Sequence, residues 1–415
     1  MNAQRDNHYD IVIAGGGMVG SSLALGLAPL GLRVAIIEPV PRAAETQPSF
    51  DDRSTALSRS SQRMFQAMGL WDDIVAAATP ILHIHVSDQG RFGFSHIDAD
   101  EQGVEALGYV VINRVLGGVL QTALGKVESL DVLCPARIVA TGPAPGSATV
   151  TVEEGDDQSR ELSCDLLVAA DGANSQVRTM LGIAATQIEY GQRAVIGNLL
   201  PEKPLQNVAY ERFTPQGPLA LLPVADDRAG FVWTVSEQHA DRVLALDDES
   251  FLKELQHAFG NRLGEFSKVG KRAAYPLLLS KAMRLTAQRA VLVGNAAHGL
   301  HPVAAQGFNL GLRDVASLCD CIADARRDAG ADADIGSELV LERYSNWRRG
   351  DQKKLVGFTD GLVRLFGDTR GPVRALRNIG MLGFDLIPGM RSLFAKHTMG
   401  LAGRLPRLSR GVPLS

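Results

Sequence analysis

A chain of 415 residues with 45% hydrophobic and 21% charged residues can bury a composite core of two or three domains and has an ordinary globular composition. Its net charge of −4 excludes a general nucleic-acid-binding surface, so no nucleic-acid partner is expected. The four cysteines are sparse, and the spacing of Cys319 and Cys321 fits neither a zinc site nor a thioredoxin-like motif; they read as buried reduced thiols in a reducing compartment, with no metal expected.

Residues 11–32 carry no charge and reach the length of a membrane span. Asp10 precedes them, no basic cluster flanks them, and six glycines interrupt them. Strand, turn and helix fit better. Tyr9–Ala14 reads as a strand, Gly15-Gly16-Gly17-Met18-Val19-Gly20 as G-x-G-x-x-G, and Ser21 to about Leu30 as a helix capped by Gly31. Arg33–Glu38 is the second strand. Gly15 permits the tight turn, Gly17 lets the backbone approach a pyrophosphate, and Gly20 lets the helix pack on the sheet. Glu38, at the end of that strand, can accept from ribose hydroxyls. The set indicates a dinucleotide and does not choose between FAD and NAD.

Phe50–Ser61 is polar and carries Arg53, either a loop residue or a cation directed at the cofactor or its reductant. Ser60–Leu70 is expected to be helical. Ile81–Ser87 and Arg91–Ile97 form a predicted hairpin turning at Asp88-Gln89-Gly90. Tyr109–Leu124 reads as a strand end entering an amphipathic helix, with Arg114 at the junction. Residues 132–168 give strand signals broken by turn clusters at Thr141–Ser147 and Glu153–Ser159. Asp165–Asn174 is a strand that empties into Asp171-Gly172, with Ser175 and Arg178 opening a helix. Asp171 thus lies at the carboxyl end of a parallel strand, where open α/β sheets bind ligands; it also suits a helix cap.

From Arg193 to Val235 four antiparallel strands are predicted, which join the 81–97 hairpin in a second sheet inserted into the first domain. Glu249–Phe259 is a helix lying on it, and Tyr275–Leu279 and Arg289–Val293 lead back. Val291–Asp314 runs from an apolar strand through a loop of Gly, Asn, His and Pro into a helix over Asn309–Ala323. Its backbone N–H groups and helix N-terminus suit an anion or an electron-rich ring. Glu338–Gly350 is a further helix. The tail 353–415 holds eleven Lys or Arg against three Asp, a net +8 on a chain of −4 overall, with apolar residues at helical spacing. It reads as a helical pair packed on the domain, or as a basic amphipathic membrane contact.

The fold class is therefore α/β: a Rossmann-like dinucleotide-binding domain in three parts (1–80, 98–190, 281–350), an inserted mainly antiparallel sheet (81–97 and 191–280), and a C-terminal helical region (351–415).

The sequence resembles the single-component FAD-dependent aromatic monooxygenases related to p-hydroxybenzoate hydroxylase, from about residue 9 to about residue 400. Three fingerprints carry the likeness: GGGMVG at 15–20, Ala170-Asp171-Gly172-Ala173-Asn174-Ser175 with Arg178, and the Gly294–Asp314 loop. Within that family it is most similar to the ubiquinone-biosynthesis hydroxylases, of the 2-octaprenyl-6-methoxyphenol hydroxylase type. Phe50-Asp51-Asp52-Arg53, His85-Val86-Ser87-Asp88, Glu211-Arg212-Phe213-Thr214, Gly217-Pro218-Leu219-Ala220 and the HPVAAQGFNLGLRD run at 301–314 carry this closer likeness.

The resemblance implies that Gly15, Gly17 and Gly20 line the FAD pyrophosphate and Glu38 binds the adenosine ribose. Arg53 and Arg114 contact the cofactor, and Asp171 and Gly172 border the pyrophosphate and an NAD(P)H groove. Gly294 and Asn295 lie along the ribityl chain, and Pro302, Gly307 and Asn309 border the isoalloxazine. The wider family has Gly-Asp where this chain has Gly294-Asn295, which keeps a hydrogen-bonding side chain without its charge. The implied chemistry is FAD reduction by NAD(P)H, then a flavin hydroperoxide that hydroxylates an electron-rich phenol.

His301 is the one named catalytic candidate, as an aid to phenol deprotonation; shaping the turn before Pro302 is the role expected for it. Leu219, Leu221, Leu222, Phe231 and Trp233 suit a greasy, polyprenylated phenol. Cytoplasmic location follows, with association at the inner face of a membrane or with a ubiquinone-pathway complex left open. Trp71, Trp233 and Trp347 cannot build the Trp-x-Trp of a flavin halogenase. Hydroxylation at another ring position, a prenyl-lipid epoxidase or reductase, and a non-catalytic prenyl-lipid carrier stay open.

Overall fold

The computed structural model describes residues 7–41, 53–89, 94–155, 158–299, 306–351 and 390–414. Five parallel strands form the first sheet, in the order Ala290–Leu292, Gln158–Ala169, His8–Ala14, Val34–Ile37 and Leu130–Leu133. Their runs are almost wholly apolar, as in Ile11–Ala14, Val34–Ile37 and Leu166–Ala169, because both faces of a parallel sheet are covered. Helix Met18–Leu27 packs on this sheet and against helices Asn113–Leu124 and Gln306–Ala329. A Cβ at Gly26 would stand 3.1 Å from Cys319 Sγ, so the missing side chain sets how closely two of these helices approach. Strands Ala136–Ala144 and Ser147–Glu154 hang antiparallel from the first half of Gln158–Ala169. Of the Thr141–Ser147 turn cluster only Pro145-Gly146 is the bend between them; Thr141–Ala144 and Ser147 are paired strand residues.

The second sheet has the order His298–Gly299, Ala273–Ala282, Ala185–Pro201, Ala229–Ser236, Pro218–Pro223, Val208–Phe213, His83–Asp88 and Phe94–Asp98, with Phe266–Val269 beside Ala185–Pro201. Every pairing but one is antiparallel; Val208–Phe213 runs parallel to His83–Asp88. Alternation splits its side chains. Tyr210, Leu219, Leu221, Phe231 and Trp233 face a core shared with helices Glu237–Leu244 and Asp248–Phe259. Ile84, Ala209 and Leu222 face the other way, toward Ile81, Leu107, Val110, Ala395 and Met399.

That second face is roofed by a small antiparallel sheet absent from the sequence reading, made of Ser54–Ser58, Gly108–Ile112 and Thr79–Ile81. The three strands are short and pair only at long range, so no local alternation announces the sheet, although a strand end at Tyr109 is expected from sequence. Helix Met390–Thr398 closes the same space. The basic stretch at 352–389 lies outside the described residues. Among the described residues no helix is long and apolar enough to cross a membrane.

Candidate functional site

The carboxyl end of His8–Ala14 is where three distant segments meet. Gly15 has φ +99°, and a Cβ there would lie 2.6 Å from Ala170 O and 3.0 Å from Asp171 Cα. A Cβ on Gly20 would lie 2.0 Å from Gly15 O, so Gly20 seats the helix against the turn. Gly17 is the N-cap of Met18–Leu27 and supplies no side-chain acceptor; no acidic residue lies in the first turn. The helix therefore presents unsatisfied N–H groups and the positive end of its dipole to this space.

Glu38 follows the second strand and bends back. Its Oε2 accepts from Gly16 N–H at 2.7 Å and its Oε1 from Val40 N–H at 2.8 Å. A carboxylate has about four lone-pair sites, so acceptor capacity is left for two sugar hydroxyls. Asp171 accepts from Ser175 Oγ at 2.5 Å and from Val177 N–H at 3.1 Å, so it braces the turn before helix Gln176–Met180, whose own N-cap is Ser175. Gly172 has φ +85° with open space where a Cβ would stand.

The third segment arrives from Ala290–Leu292. Gly294 has φ +59°, and its missing Cβ would face Val19 Cγ1 at 3.1 Å, beside the glycine turn. Asn295 is exposed and Gly307 lies in the first turn of Gln306–Ala329. His301 and Pro302 lie outside the described residues. Asn309 is buried: its Oδ1 accepts from Ser58 N–H (2.9 Å) and Ser61 Oγ (2.7 Å), and its Nδ2 donates to Ala56 O (2.9 Å). It fastens the long helix to the small roofing sheet.

Arg53 and Arg114 lie next to the same end of the roofing sheet, on adjacent segments. Ser54 pairs with Ile112, and Arg53 O accepts from Asn113 N–H at 2.8 Å. The Arg53 guanidinium lies 4.8 Å from the centre of the Tyr275 ring, on the second sheet. Arg114 is exposed in the first turn of Asn113–Leu124.

Two groups were not singled out as site residues from sequence. Arg178 is buried and donates to Ala296 O (2.9 Å) and Ala173 O (3.1 Å), which ties the Asp171 turn to the Gly294 turn. Behind the Gly294 turn, Asp314 accepts from Gly294 N–H (2.9 Å), His298 Nε2 (2.6 Å) and Arg348 Nε (2.6 Å), all out of solvent. Burial works to raise the Asp314 pKa but is overcome by His298 and Arg348, which hold it below its ordinary value. The signal for Arg348 was its spacing: Val340, Tyr344 and Arg348 fall four apart, so the charge lies on a buried stripe.

The residues present fit a dinucleotide cofactor. The glycine turn leaves no room for side chains, the helix N-terminus is uncapped, and a carboxylate stands at the end of the second strand. His298 Nδ1 is buried with no hydrogen-bond partner among the described residues.

A cavity of about 120 Å³ lies beyond Asn309, between the roofing sheet and the second sheet. Its wall is chiefly apolar: Leu57, Ile81, Ile84, Leu107, Leu222 and Val232. Glu211 is the one charged residue among the described residues that line it.

The chain matches the family described as FAD binding domain over residues 8–359. It is 38% identical to ubiquinone hydroxylase UbiL of Rhodospirillum rubrum over 413 residues, covering 99% of this chain and 94% of the relative. It is 32% identical to 3-demethoxyubiquinol 3-hydroxylase of Escherichia coli, covering 94% of this chain and 98% of that one. In fold it is similar to p-nitrophenol 4-monooxygenase of Pseudomonas putida, with TM-score 0.78 at 19% identity, covering 96% of this chain and all of that one.

Proposed function

The chain belongs to the FAD binding domain family of aromatic monooxygenases, and from that premise we propose that it hydroxylates the ring of a polyprenylated phenol in ubiquinone biosynthesis. One observation carries the substrate class: an apolar cavity on the inserted sheet, bordered by Asn309 at the start of the helix that leaves the Gly294–Asp314 segment. Such a wall suits a greasy aromatic ring and gains little from a small polar acid.

FAD, when bound, takes electrons from NAD(P)H and supplies one atom of O₂ to the ring. The chain's own residues do the rest. The uncapped Met18–Leu27 N-terminus and the glycine turn would hold the pyrophosphate, and Glu38 the ribose. Arg178 and Asp314 hold the two turns that border the cofactor in fixed relation. The roofing sheet, clamped by Asn309, keeps water from the ring during oxygen transfer.

We further propose a peripheral membrane contact through the basic stretch that begins at 353, supported by its net charge and helical apolar spacing in the sequence. The end of the chain is excluded from it, because Leu408 and Leu414 pack in the core of the first domain and Arg407 pairs with Asp320 and Asp324. A prenylated substrate partitions into lipid, so a surface contact would shorten its path. Binding to anionic vesicles at low salt tests this part; absence of binding removes it and leaves the hydroxylase reading standing.

The hydroxylase reading is tested by adding 2-farnesylphenol to purified FAD-loaded protein with NAD(P)H. The expected result is phenol-stimulated oxygen uptake and a product heavier by one oxygen. Bound prenyl ligand without any NAD(P)H oxidation would establish a carrier instead.

A further inference from the structure

We propose that Glu211 receives the hydroxyl of the phenolic substrate: its carboxylate accepts the ring O–H as a hydrogen bond and takes that proton as oxygen is delivered to the ring. This rests on the phenol-hydroxylase reading and adds a residue and a step to it.

Geometry places the group. In the Val208–Phe213 strand, Glu211 is opposite Ala220 on one side and Val86 on the other, near the middle of the second sheet. Alternation puts it on the same face as Ala209, and both line the cavity with Ala220. Two alanines beside a glutamate leave space over the carboxylate. The residue keeps accessible surface although protein surrounds its carboxylate, which is what a position on the wall of a cavity produces. No described residue forms a hydrogen bond or ion pair with it. A lone carboxylate on an apolar wall is costly, and the cost is offset when a ligand donor arrives.

The charged and titratable neighbours leave it alone. Arg212 points to the opposite face, toward Arg262, and Asp88 lies across from Phe213 at the strand end; neither lines the cavity. Tyr210 is the other titratable residue on the lining, and its ring meets Phe259 and His85 edge to face. The roofing sheet contributes Ala56, Leu57, Ser58, Ile81 and Gly108; the other elements bring Pro218, Thr234, Asn309 and Thr398, none of them titratable. Burial alone raises the Glu211 pKa to about 7, so at neutral pH the group is divided between its two forms, where acid–base groups work best.

The step balances. The phenol O–H bond breaks, its electron pair stays on oxygen and feeds the ring, and the proton converts the carboxylate to the acid. A ring C–O bond forms with one oxygen atom of O₂, the other leaving as water with protons from solvent and two electrons from NAD(P)H. The displaced ring proton goes to solvent as aromaticity returns, and Glu211 gives its proton back to the phenolic oxygen of the product, which restores the carboxylate. A phenol titrates near pH ~10, so free ionisation by Glu211 is uphill, and transfer is expected to accompany attack rather than precede it.

Glu211→Gln and Glu211→Asp, purified with FAD, are compared with the parent chain on 2-farnesylphenol. Gln is expected to retain FAD and ligand-stimulated NAD(P)H oxidation while hydroxylated product falls by about 10²-fold or more and hydrogen peroxide rises in its place. Asp, shorter by one methylene but still ionisable, should recover part of the product. The affinity for 2-farnesylphenol, followed by the flavin absorbance, should tighten severalfold from pH 6 to pH 8 in the parent and stay flat in Gln. Parent-like product yield and an unchanged pH response in Gln would overturn the proposal. If the parent itself makes no product, the hydroxylase reading has failed, and the pH dependence of binding still decides whether Glu211 meets the phenol.

Discussion

Arg348 Nε donates to Asp314 Oδ1 at 2.6 Å with both side chains wholly out of solvent, while the other oxygen of the same carboxylate holds Gly294 N–H. A charge pair in the core thus sets the position of a turn on the cofactor side. Arg348→Met leaves Asp314 with Gly294 N–H and His298 Nε2 as its remaining hydrogen-bond partners. Breaking one side of such a pair typically costs about 3–5 kcal/mol. We expect a lower Tm by calorimetry and reduced FAD retention. Because the Asp314 pKa is held below its ordinary value, its contribution is present above the usual carboxylate range and is lost as pH falls through the lower folded value. The parent chain should therefore lose this part of its stability only in strong acid.

Gly20 and Gly172 give a contrast. An alanine Cβ at 20 would meet backbone at 2.0 Å, whereas at 172 it would meet open space at φ +85°. Gly20→Ala must displace the helix from the turn, and the purified protein should carry little flavin. Gly172→Ala stores about 1–3 kcal/mol of backbone strain and should keep its flavin with a lowered Tm. Flavin absorbance relative to protein absorbance reads both.

Glu38→Ala strips the acceptor from Gly16 N–H and Val40 N–H as well as from the ribose. Each unsatisfied group costs about 1–3 kcal/mol, so FAD affinity should fall by one to two orders of magnitude in a fluorescence titration. Glu38→Gln, which keeps one acceptor oxygen, should fall less.

Glu211 makes a prediction on stability alone. Its folded pKa of about 7 stands above the ordinary 4.5. The folded state therefore binds the proton more tightly, and this preference stabilises it fully below pH 4.5 and is lost as pH rises through 7. Glu211→Gln removes a buried charge that the parent carries at pH 8. It should be more stable than the parent there, by about 3–4 kcal/mol at most, and nearly equal at pH 4. Denaturant unfolding at the two pH values checks it; a variant destabilised equally at both would contradict it.

The dinucleotide cradle was legible because it is local. Gly15, Gly17, Gly20 and Glu38 lie within one strand–helix–strand unit, where spacing alone dictates geometry. Asp171 and Gly294 were legible as turns after apolar strands, and the long helix after the second turn was expected. Glu211 was hidden because both faces of Val208–Phe213 mix apolar and polar residues, Val208, Tyr210 and Arg212 on one and Ala209, Glu211 and Phe213 on the other. The roofing sheet was hidden for a different reason. Its three strands are joined only by long-range pairing, and Asn309 is tied to Ser58 and Ser61 across about 250 intervening residues, a relation no local pattern encodes.

The parallel pairing of His83–Asp88 with Val208–Phe213 also governs how the molecule is made. A ribosome delivers the 83–98 strands long before their partner, so their edge stays open while the first sheet is still gathering its own strands from both ends of the chain. Such an edge invites mispairing. The second sheet therefore cannot close before Val208–Phe213 has emerged, and truncation at any point before Phe213 should yield aggregate rather than a smaller working protein.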